Sequence, residues 1–261
     1  MCFLILKMLT LNNMNILSLC KKLFLLCAVT LLLHACKKHQ DVDTNEYLIS
    51  AVYLNGFNTN NYYYNDSRQL IKSVYRDRVF DHKREYYYND QQQVKQVIET
   101  YYGLSGSIND YSYNSDGKLA LIQVYDKVTN ALMYTYEYSY ADHSFTETLV
   151  LNGVISWVNT LTIDDKGNIV KAVFDDQTIP NDDRVEEWLD YDEHPGVGYP
   201  VVGNISSKNN PRRKTVQGKS TGNHIGYYKY SYNNAGYVTE RKDYSAGNNY
   251  ISVTKYTLIP K

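Results

Sequence analysis

The chain has 261 residues and a formal net charge of −1, with 43% apolar and 21% charged residues. That balance supports a packed core and excludes a disordered chain or a strongly basic, nucleic-acid-binding one. There are 28 tyrosines against 6 Phe and 2 Trp, a bias that points to extended β surface, where a ring is half-buried and its hydroxyl stays in water.

The first element is a targeting segment. Lys21-Lys22 precedes Leu23–Leu33, a positive flank and an apolar run of about a dozen residues, too short to span a bilayer comfortably. Leu33-His34-Ala35-Cys36 follows and resembles a bacterial lipobox, with His34 an unusual occupant of its slot. The expectation is a signal peptide over 1–35, cleavage before Cys36, and a lipidated tether over 36–46. An ordinary signal peptide or a membrane anchor is the alternative, and Met1, Met8 and Met14 are all possible starts. The four cysteines are Cys2, Cys20, Cys27 and Cys36. Cleavage would leave only Cys36, which excludes an intrachain disulfide framework and a Cys-based zinc site. The removed segment holds three lysines and no acid, so 27 basic residues fall to 24 against 28 acidic ones. A mature charge near −4 argues against nucleic acid and leaves the membrane, through the lipid, as the expected contact.

From residue 47 the strand signals are continuous. Ile49–Leu54 is a β-rich run ended by Asn55-Gly56, and the same hairpin dipeptide, Asn152-Gly153, separates Phe145–Leu151 from Val154–Ile163. Other turns are expected at Asp77-Arg78, Gly103–Ser107, Lys127–Asn130 and Ala246–Asn249. A tyrosine unit recurs: Tyr62-Tyr63-Tyr64-Asn65, Tyr86-Tyr87-Tyr88-Asn89, Tyr111-Ser112-Tyr113-Asn114 and Tyr230-Ser231-Tyr232-Asn233, with a degenerate copy at Leu161-Thr162-Ile163-Asp164. The period is about 25 residues, two strands and two turns, which marks a repeat architecture. Gly117, Gly167 and Gly236 hold the same slot in their turns, as a type I turn followed by a left-handed residue requires. Arg68 and Gln92 occupy that slot in the first two copies, and strain on the order of 1 kcal/mol is expected there.

Within these strands Tyr62/Tyr64, Tyr86/Tyr88, Tyr111/Tyr113, Tyr134/Tyr136/Tyr138/Tyr140 and Tyr228/Tyr230/Tyr232 keep period two and share a face. Two uses are open. The rings can form the wall of the fold, or Tyr64, Tyr88, Tyr113, Tyr138, Tyr230 and Tyr232 can offer flat amphipathic faces to a sugar.

The stretch around 192–225 breaks the period and reads as a long insertion. It holds Pro195, Pro200 and Pro211, with acidic residues before it and Arg212-Arg213-Lys214 near its centre. That basic triplet can meet acidic glycans or phosphate head groups, or serve as a solvated loop. Asp175-Asp176 and Asp182-Asp183 match no EF-hand spacing, so no metal is expected. His39, His82, His143, His194 and His224 lack metal-ligand spacing, and no nucleophile elbow, zincin helix or P-loop occurs. The expectation is a protein without catalytic residues, metal or other cofactor. A hydrolase built on dispersed carboxylates is the remotest reading, because no local context singles out a pair.

The units resemble the YD (RHS-type) repeats of bacterial cell-surface proteins, through Y-x-Y-N-x-x-G-x-Φ at Tyr111–Leu119 and Tyr230–Val238. Tyr191-Asp192-Glu193-His194-Pro195, Ser207–Pro211 and Tyr230–Asn233 with Gly236-Tyr237 further resemble uncharacterised Bacteroidota lipoproteins, a domain of unknown function with a porin-like fold. That resemblance implies an antiparallel meander closing into a barrel of about fourteen strands and implies no activity. The strand signals independently give about seven or eight hairpins over residues 47–261, whose closure would remove exposed edges. Lys72, Lys95, Gln96, Lys171, Glu240 and Lys242 lie on strands and argue against a lipid-embedded wall. The combined expectation is an all-β barrel on an outer-membrane lipoprotein, of undecided facing, that binds glycan or an envelope protein. The alternative is a structural or assembly protein.

Overall fold

Alternation of period two, broken every eight to twelve residues by Asn, Asp and Gly, dictates strands joined by tight turns. The structure, a computed structural model, describes residues 47–76, 81–101, 105–179, 183–197, 207–220 and 222–260; the expected signal, Cys36 and the tether lie outside them. The strands are β1 (Tyr47–Leu54), β2 (Phe57–Tyr64), β3 (Leu70–Arg76), β4 (Asp81–Tyr88), β5 (Val94–Tyr101) and β6 (Gly106–Tyr113). Next come β7 (Leu119–Asp126), β8 (Leu132–Ala141), β9 (Ser144–Leu151), β10 (Val154–Ile163) and β11 (Ile169–Asp176). The last five are β12 (Arg184–Pro195), β13 (Asn209–Gly218), β14 (Gly222–Tyr232), β15 (Val238–Ser245) and β16 (Tyr250–Pro260). They form one closed antiparallel barrel in sequence order, sealed by β1 against β16 from Tyr47↔Pro260 to Leu54↔Thr254. Closure is as expected, and the sixteen strands are the upper end of the seven or eight hairpins that the strand signals give; the resemblance implied about fourteen, and the stretch around 192–225, expected as an insertion, instead carries β13 and the start of β14. Pro195 and Pro211 sit in strands there without ending the β12–β13 pairing.

Most described turns follow the reading of their residues; Gly106 and Ser107, expected in a turn, instead open β6, and Asp77-Arg78 and Gly103 lie outside the described residues. Asn55 and Gly56 both have positive φ (50° and 85°), as do Asn152 and Gly153 (50° and 78°), the signature of the type I′ hairpin. In the repeat turn the leading Asn or Asp accepts a bond from the backbone N–H four residues on, at 2.8 or 2.9 Å, in all five copies. Gly117, Gly167 and Gly236 take φ of 74°, 85° and 85°; Arg68 and Gln92 are forced to 62° and 64° in the same slot. After each of these turns the incoming strand carries a bulge, seen as a register shift beside Tyr64, Tyr88, Tyr113, Ile163 and Tyr232.

Residues opposite each other in register share a face, so one phase can be followed around the barrel. Tyr62, Ser73, Arg84 and Glu99 are one such row, continuing through Ser107 and Asp126. This phase holds most of the buried residues, including Val52, Tyr62, Leu70, Tyr86, Val94, Val97, Ile122 and Val124. It is the lumen side, and the paired tyrosines of the repeats all lie on it. The other phase carries Tyr63 and Tyr87, both more than 40% exposed, and ion pairs such as Lys83–Glu85 (2.9 Å) and Lys242–Glu240 (3.1 Å). Lys72 and Lys255 stand opposite Glu85 and Glu240 on the same outer face. Simple alternation would send the adjacent Lys95 and Gln96 to opposite faces. Val94 and Val97 are both buried on the lumen side, so the bulge between them turns Lys95 and Gln96 outward together.

Candidate functional site

Six of the lumen tyrosines make one repeated bond. A tyrosine near the end of an even-numbered strand reaches back and donates its hydroxyl to a carbonyl near the start of the preceding strand. The pairs are Tyr64 to Ile49 (2.7 Å), Tyr88 to Leu70 (2.8 Å), Tyr113 to Val94 (2.7 Å) and Tyr140 to Leu119 (3.0 Å). Tyr191 bonds the Ile169 carbonyl, and Tyr230 bonds that of Pro211 (2.8 Å). In β10 the position is Ile163, which has no hydroxyl to give. Burial pushes these phenols up, Tyr88 to about 12, so they remain donors at neutral pH. We call these bonds latches, because each ties a turn end to the neighbouring strand.

Of the six tyrosines singled out in the sequence, Tyr64, Tyr88, Tyr113 and Tyr230 are therefore latches. Tyr232 donates to Asp192 and stacks on His194 at 4.0 Å between centroids. Asp192 also accepts from the His194 and Asn210 backbone N–H groups at 3.1 and 3.2 Å. Ser207 Oγ accepts from the Ile169 N–H, and Asn168 Oδ1 from the Asn209 N–H. The motifs of 191–195, 207–211 and 230–237 thus form one hydrogen-bonded knot. A Cβ on Gly236 would lie 3.2 Å from His194 Nδ1, so that glycine lets the histidine sit against the turn.

The sixth, Tyr138, leads elsewhere. Its hydroxyl donates to Glu147 Oε1 at 2.8 Å, and Glu147 lines a cavity of about 370 Å³ inside the barrel. Strands β4 to β9 build its wall: Arg84 and Tyr86, Val97, Glu99 and Tyr101, Asn109 and Tyr111, Ile122 and Val124, Tyr134 and Tyr136, and Glu147. Glu99 is the most heavily bonded group. It accepts from Arg84 Nε (2.8 Å), the Tyr101 hydroxyl (2.6 Å) and Asn109 Nδ2 (3.2 Å), and lies 3.1 Å from His82 Nε2. Burial would raise its pKa, but the His82 bond and the Arg84 charge outweigh that and hold it at about 2. Glu147 is the opposite case. Burial pushes its carboxyl up, and the Tyr138 hydroxyl opposes that only in part. Asn109 is 8% exposed and its Oδ1 has no hydrogen-bond partner. A buried acceptor without a donor costs roughly 1–3 kcal/mol, so this chamber has unmet demand for donors.

Elsewhere in the lumen two groups of charges pair. Glu186 meets Lys214 (2.7 Å) and Arg184 (3.4 Å), and Arg241 bonds Asp243 twice (2.8 and 3.2 Å). On the outer phase, opposite Leu189 and Tyr227, Arg213 of the basic triplet lies 3.0 Å from Asp190. Asp176 caps its own turn by accepting from the Thr178 and Ile179 N–H groups, while Asp182 lies outside the described residues. Among the described residues no three His, Cys, Asp or Glu side chains converge as a metal site.

No protein-family model matches the chain, and no curated protein matches it in sequence. Two solved structures are similar in fold. One is a porin-like protein from Bacteroides uniformis ATCC 8492, 17% identical, with a TM-score of 0.50 over 77% of this chain and 89% of that one. The other is a porin-like protein from Bacteroides vulgatus ATCC 8482, 10% identical, with a TM-score of 0.53 over 80% and 97%. The fold is porin-like. At these identities the likeness concerns the path of the chain alone. The polar chamber residues of the porin-like barrel escaped sequence reading because Arg84, Glu99 and Asn109 sit among other charged or amide residues of their strands, and Glu147 stands alone in its own. A usable signal was present: Arg84 is in phase with Tyr86 and Tyr88, and Glu147 with Phe145, so both had to point inward.

Proposed function

We propose that this protein is a lipid-anchored barrel of the bacterial outer membrane that binds a small glycan in its lumen without transforming it. The observation that carries this reading is the chamber of about 370 Å³, within the size range of small-molecule sites, with tyrosine walls and the unpartnered Asn109 Oδ1. Sugars are recognised by this combination of ring faces and convergent polar groups. Lipidation at Cys36 supplies the attachment. The outer wall supports a tethered barrel over an embedded one, since Lys83–Glu85 and Lys242–Glu240 lie where a lipid face would need an apolar band. A second reading, a structural or assembly protein that contacts another envelope protein, is favoured by the latches, which commit most of the signature tyrosines to packing.

The test is a glycan array probed with the full chain in detergent, beside Asn109→Ala checked for folding. Reproducible binding that the folded variant loses supports the glycan reading. Binding to no glycan leaves the structural reading in its place.

A further inference from the structure

Resting on the membrane attachment in that reading, and not on the glycan, we propose that one end of the barrel is a lipid-contacting platform whose apolar hairpin tips dip into the bilayer that holds the chain. In a closed meander the turns after odd-numbered strands all lie at one end and those after even-numbered strands at the other. The even-to-odd end carries the Asn- and Asp-led repeat turns. The odd-to-even end is apolar. Among the described residues, the most exposed large apolar side chains run from Ile155 at 48% to Val128 at 76%. Every one of them sits in an odd-to-even turn or in the first two residues of the strand that leaves it. Away from that end the highest value is 46%, at Tyr63.

The turns hold these tips out. Both Asn-Gly turns present an apolar cross-strand pair, Leu54 with Phe57 and Leu151 with Val154. Asp126 accepts from the Val128 and Thr129 N–H groups at 3.0 and 2.7 Å, and Asp176 from those of Thr178 and Ile179 at 2.8 and 2.7 Å. Each carboxylate thus faces its own backbone and leaves Val128 or Ile179 exposed. The tips form two arcs. Leu54, Phe57, Tyr250 and Ile251 belong to adjoining hairpins, joined by the Asn55 N–H donating to the Val253 carbonyl at 2.8 Å. Val128, Leu132, Val154 and Ile155 belong to the β7–β8 and β9–β10 hairpins. The arcs are centred eight strands apart in a ring of sixteen, on opposite sides of a mouth about 30 Å wide from strand spacing and tilt. A flat surface meets both at once. Between the arcs the described rim is polar, with Arg76 paired to Asp81 at 3.9 Å and Asp183 and Lys219 lining one cleft. That limits the contact to the headgroup boundary, where an apolar tip is buried and a charge stays wet.

The length of chain before the barrel favours a bilayer over a second copy. Cys36 precedes Tyr47 by 11 residues, a reach of at most roughly 40 Å, against about 26 Å for the length of β1. Tyr47 lies at the polar end, so this reach lets the lipid and the tips share one bilayer. Two copies stacked tip to tip on the membrane would stand about 50 Å tall, which puts the upper Cys36 out of reach of it.

Fluorescence quenching by brominated lipid tests this. The full chain, purified from membranes, is reconstituted into phosphatidylethanolamine–phosphatidylglycerol vesicles made with and without acyl-chain bromine. Val154→Trp and Ile251→Trp report one arc each. Tyr87→Trp, at a position 43% exposed on the outer wall near the polar end, is the control, and the unsubstituted chain gives the background of Trp157 and Trp188. Each variant is checked by its melting curve. The expected result is a blue shift and a bromine-dependent loss of emission at both tips, with neither at Tyr87→Trp. Tips no more quenched than Tyr87→Trp, in a chain that floats with the vesicles, overturn the tip contact and leave the attachment standing. A chain that does not float overturns the attachment and the tip contact together. Quenching at one arc alone overturns the platform, and equal quenching at all three sites means an embedded wall and overturns end-on contact. Blue-shifted tips that bromine leaves bright, and that revert at a lower protein-to-lipid ratio, meet a second copy and overturn the proposal.

Discussion

Replacing Tyr88 by phenylalanine removes one hydroxyl and leaves the ring in place. The hydroxyl donates to the Leu70 carbonyl at 2.8 Å, on the half-buried lumen side. A hydrogen bond of this kind contributes about 0.5–1.5 kcal/mol net, and more where the carbonyl is left orphaned. The ring still fills its space, so no cavity term is added. Tyr88→Ala loses both, and about 3 kcal/mol is expected from the aromatic truncation range. For a domain of this size each kcal/mol lowers Tm by about 2–4 °C. Tyr88→Phe should therefore melt about 2–4 °C lower and Tyr88→Ala roughly three times further. The control is Tyr87→Phe. Tyr87 is the next residue but faces outward and is 43% exposed, so its loss should stay within about 0.5 kcal/mol. Urea unfolding of the three variants, with unchanged slopes, measures the differences. If Tyr88→Phe and Tyr87→Phe are equally silent, the latches are incidental contacts and the tyrosines serve by ring packing alone.

Further outcomes follow from the same geometry and, for Cys36, from the proposed lipidation. Ile163→Tyr should gain about 0.5–1 kcal/mol, because the register that governs the other latches places a new hydroxyl near the Ser144 carbonyl; thermal melting reads it. Gly117→Ala should cost on the order of 1–2 kcal/mol, since φ is +74° although the nearest atom to a new Cβ is 3.5 Å away. Gln92→Gly, at φ +64°, should be neutral or gain a few tenths of a kcal/mol, backbone relief being offset by chain entropy. Glu99 has its folded pKa lowered to about 2, so its stabilising contribution is complete above the unfolded value near 4.3 and is lost as pH falls from there toward 2. Glu99→Gln should flatten stability against pH in that window, followed by tyrosine fluorescence. Cys36→Ser should move the protein from the membrane pellet to the supernatant, a result read by fractionation.

The strands and turns were legible because they are local. Period two in the tyrosine runs and the Asn-x-x-Gly turns each act within a few residues, and Arg68 and Gln92 adopt the strained conformation their slot requires. Around Pro195 and Pro211 the local signal failed. Asp192, Asn210 and Tyr232 hold that region together, and they come from three different strands. The chamber is a divided case: Arg84 and Glu99 stand opposite each other in the β4–β5 hairpin, whereas Glu147 joins the same cavity wall only after the sheet curls. Phase with the tyrosines shows that they face inward. It does not show that Asn109 Oδ1 is left without a donor.

The seam between β1 and β16 has a kinetic consequence. Nearly every other neighbouring pair of strands is joined by a short turn and can zip from it, whereas Tyr47 must find Pro260 across almost the whole chain. Closing so long a loop costs entropy before any contact repays it, and pairing of this kind is slow. The barrel should therefore ripen from an open ribbon of hairpins with two raw edges, and those edges are templates for joining other copies. Loss of the last strand would freeze the chain in that state, so truncation after Asn249 should yield aggregates in place of a smaller barrel.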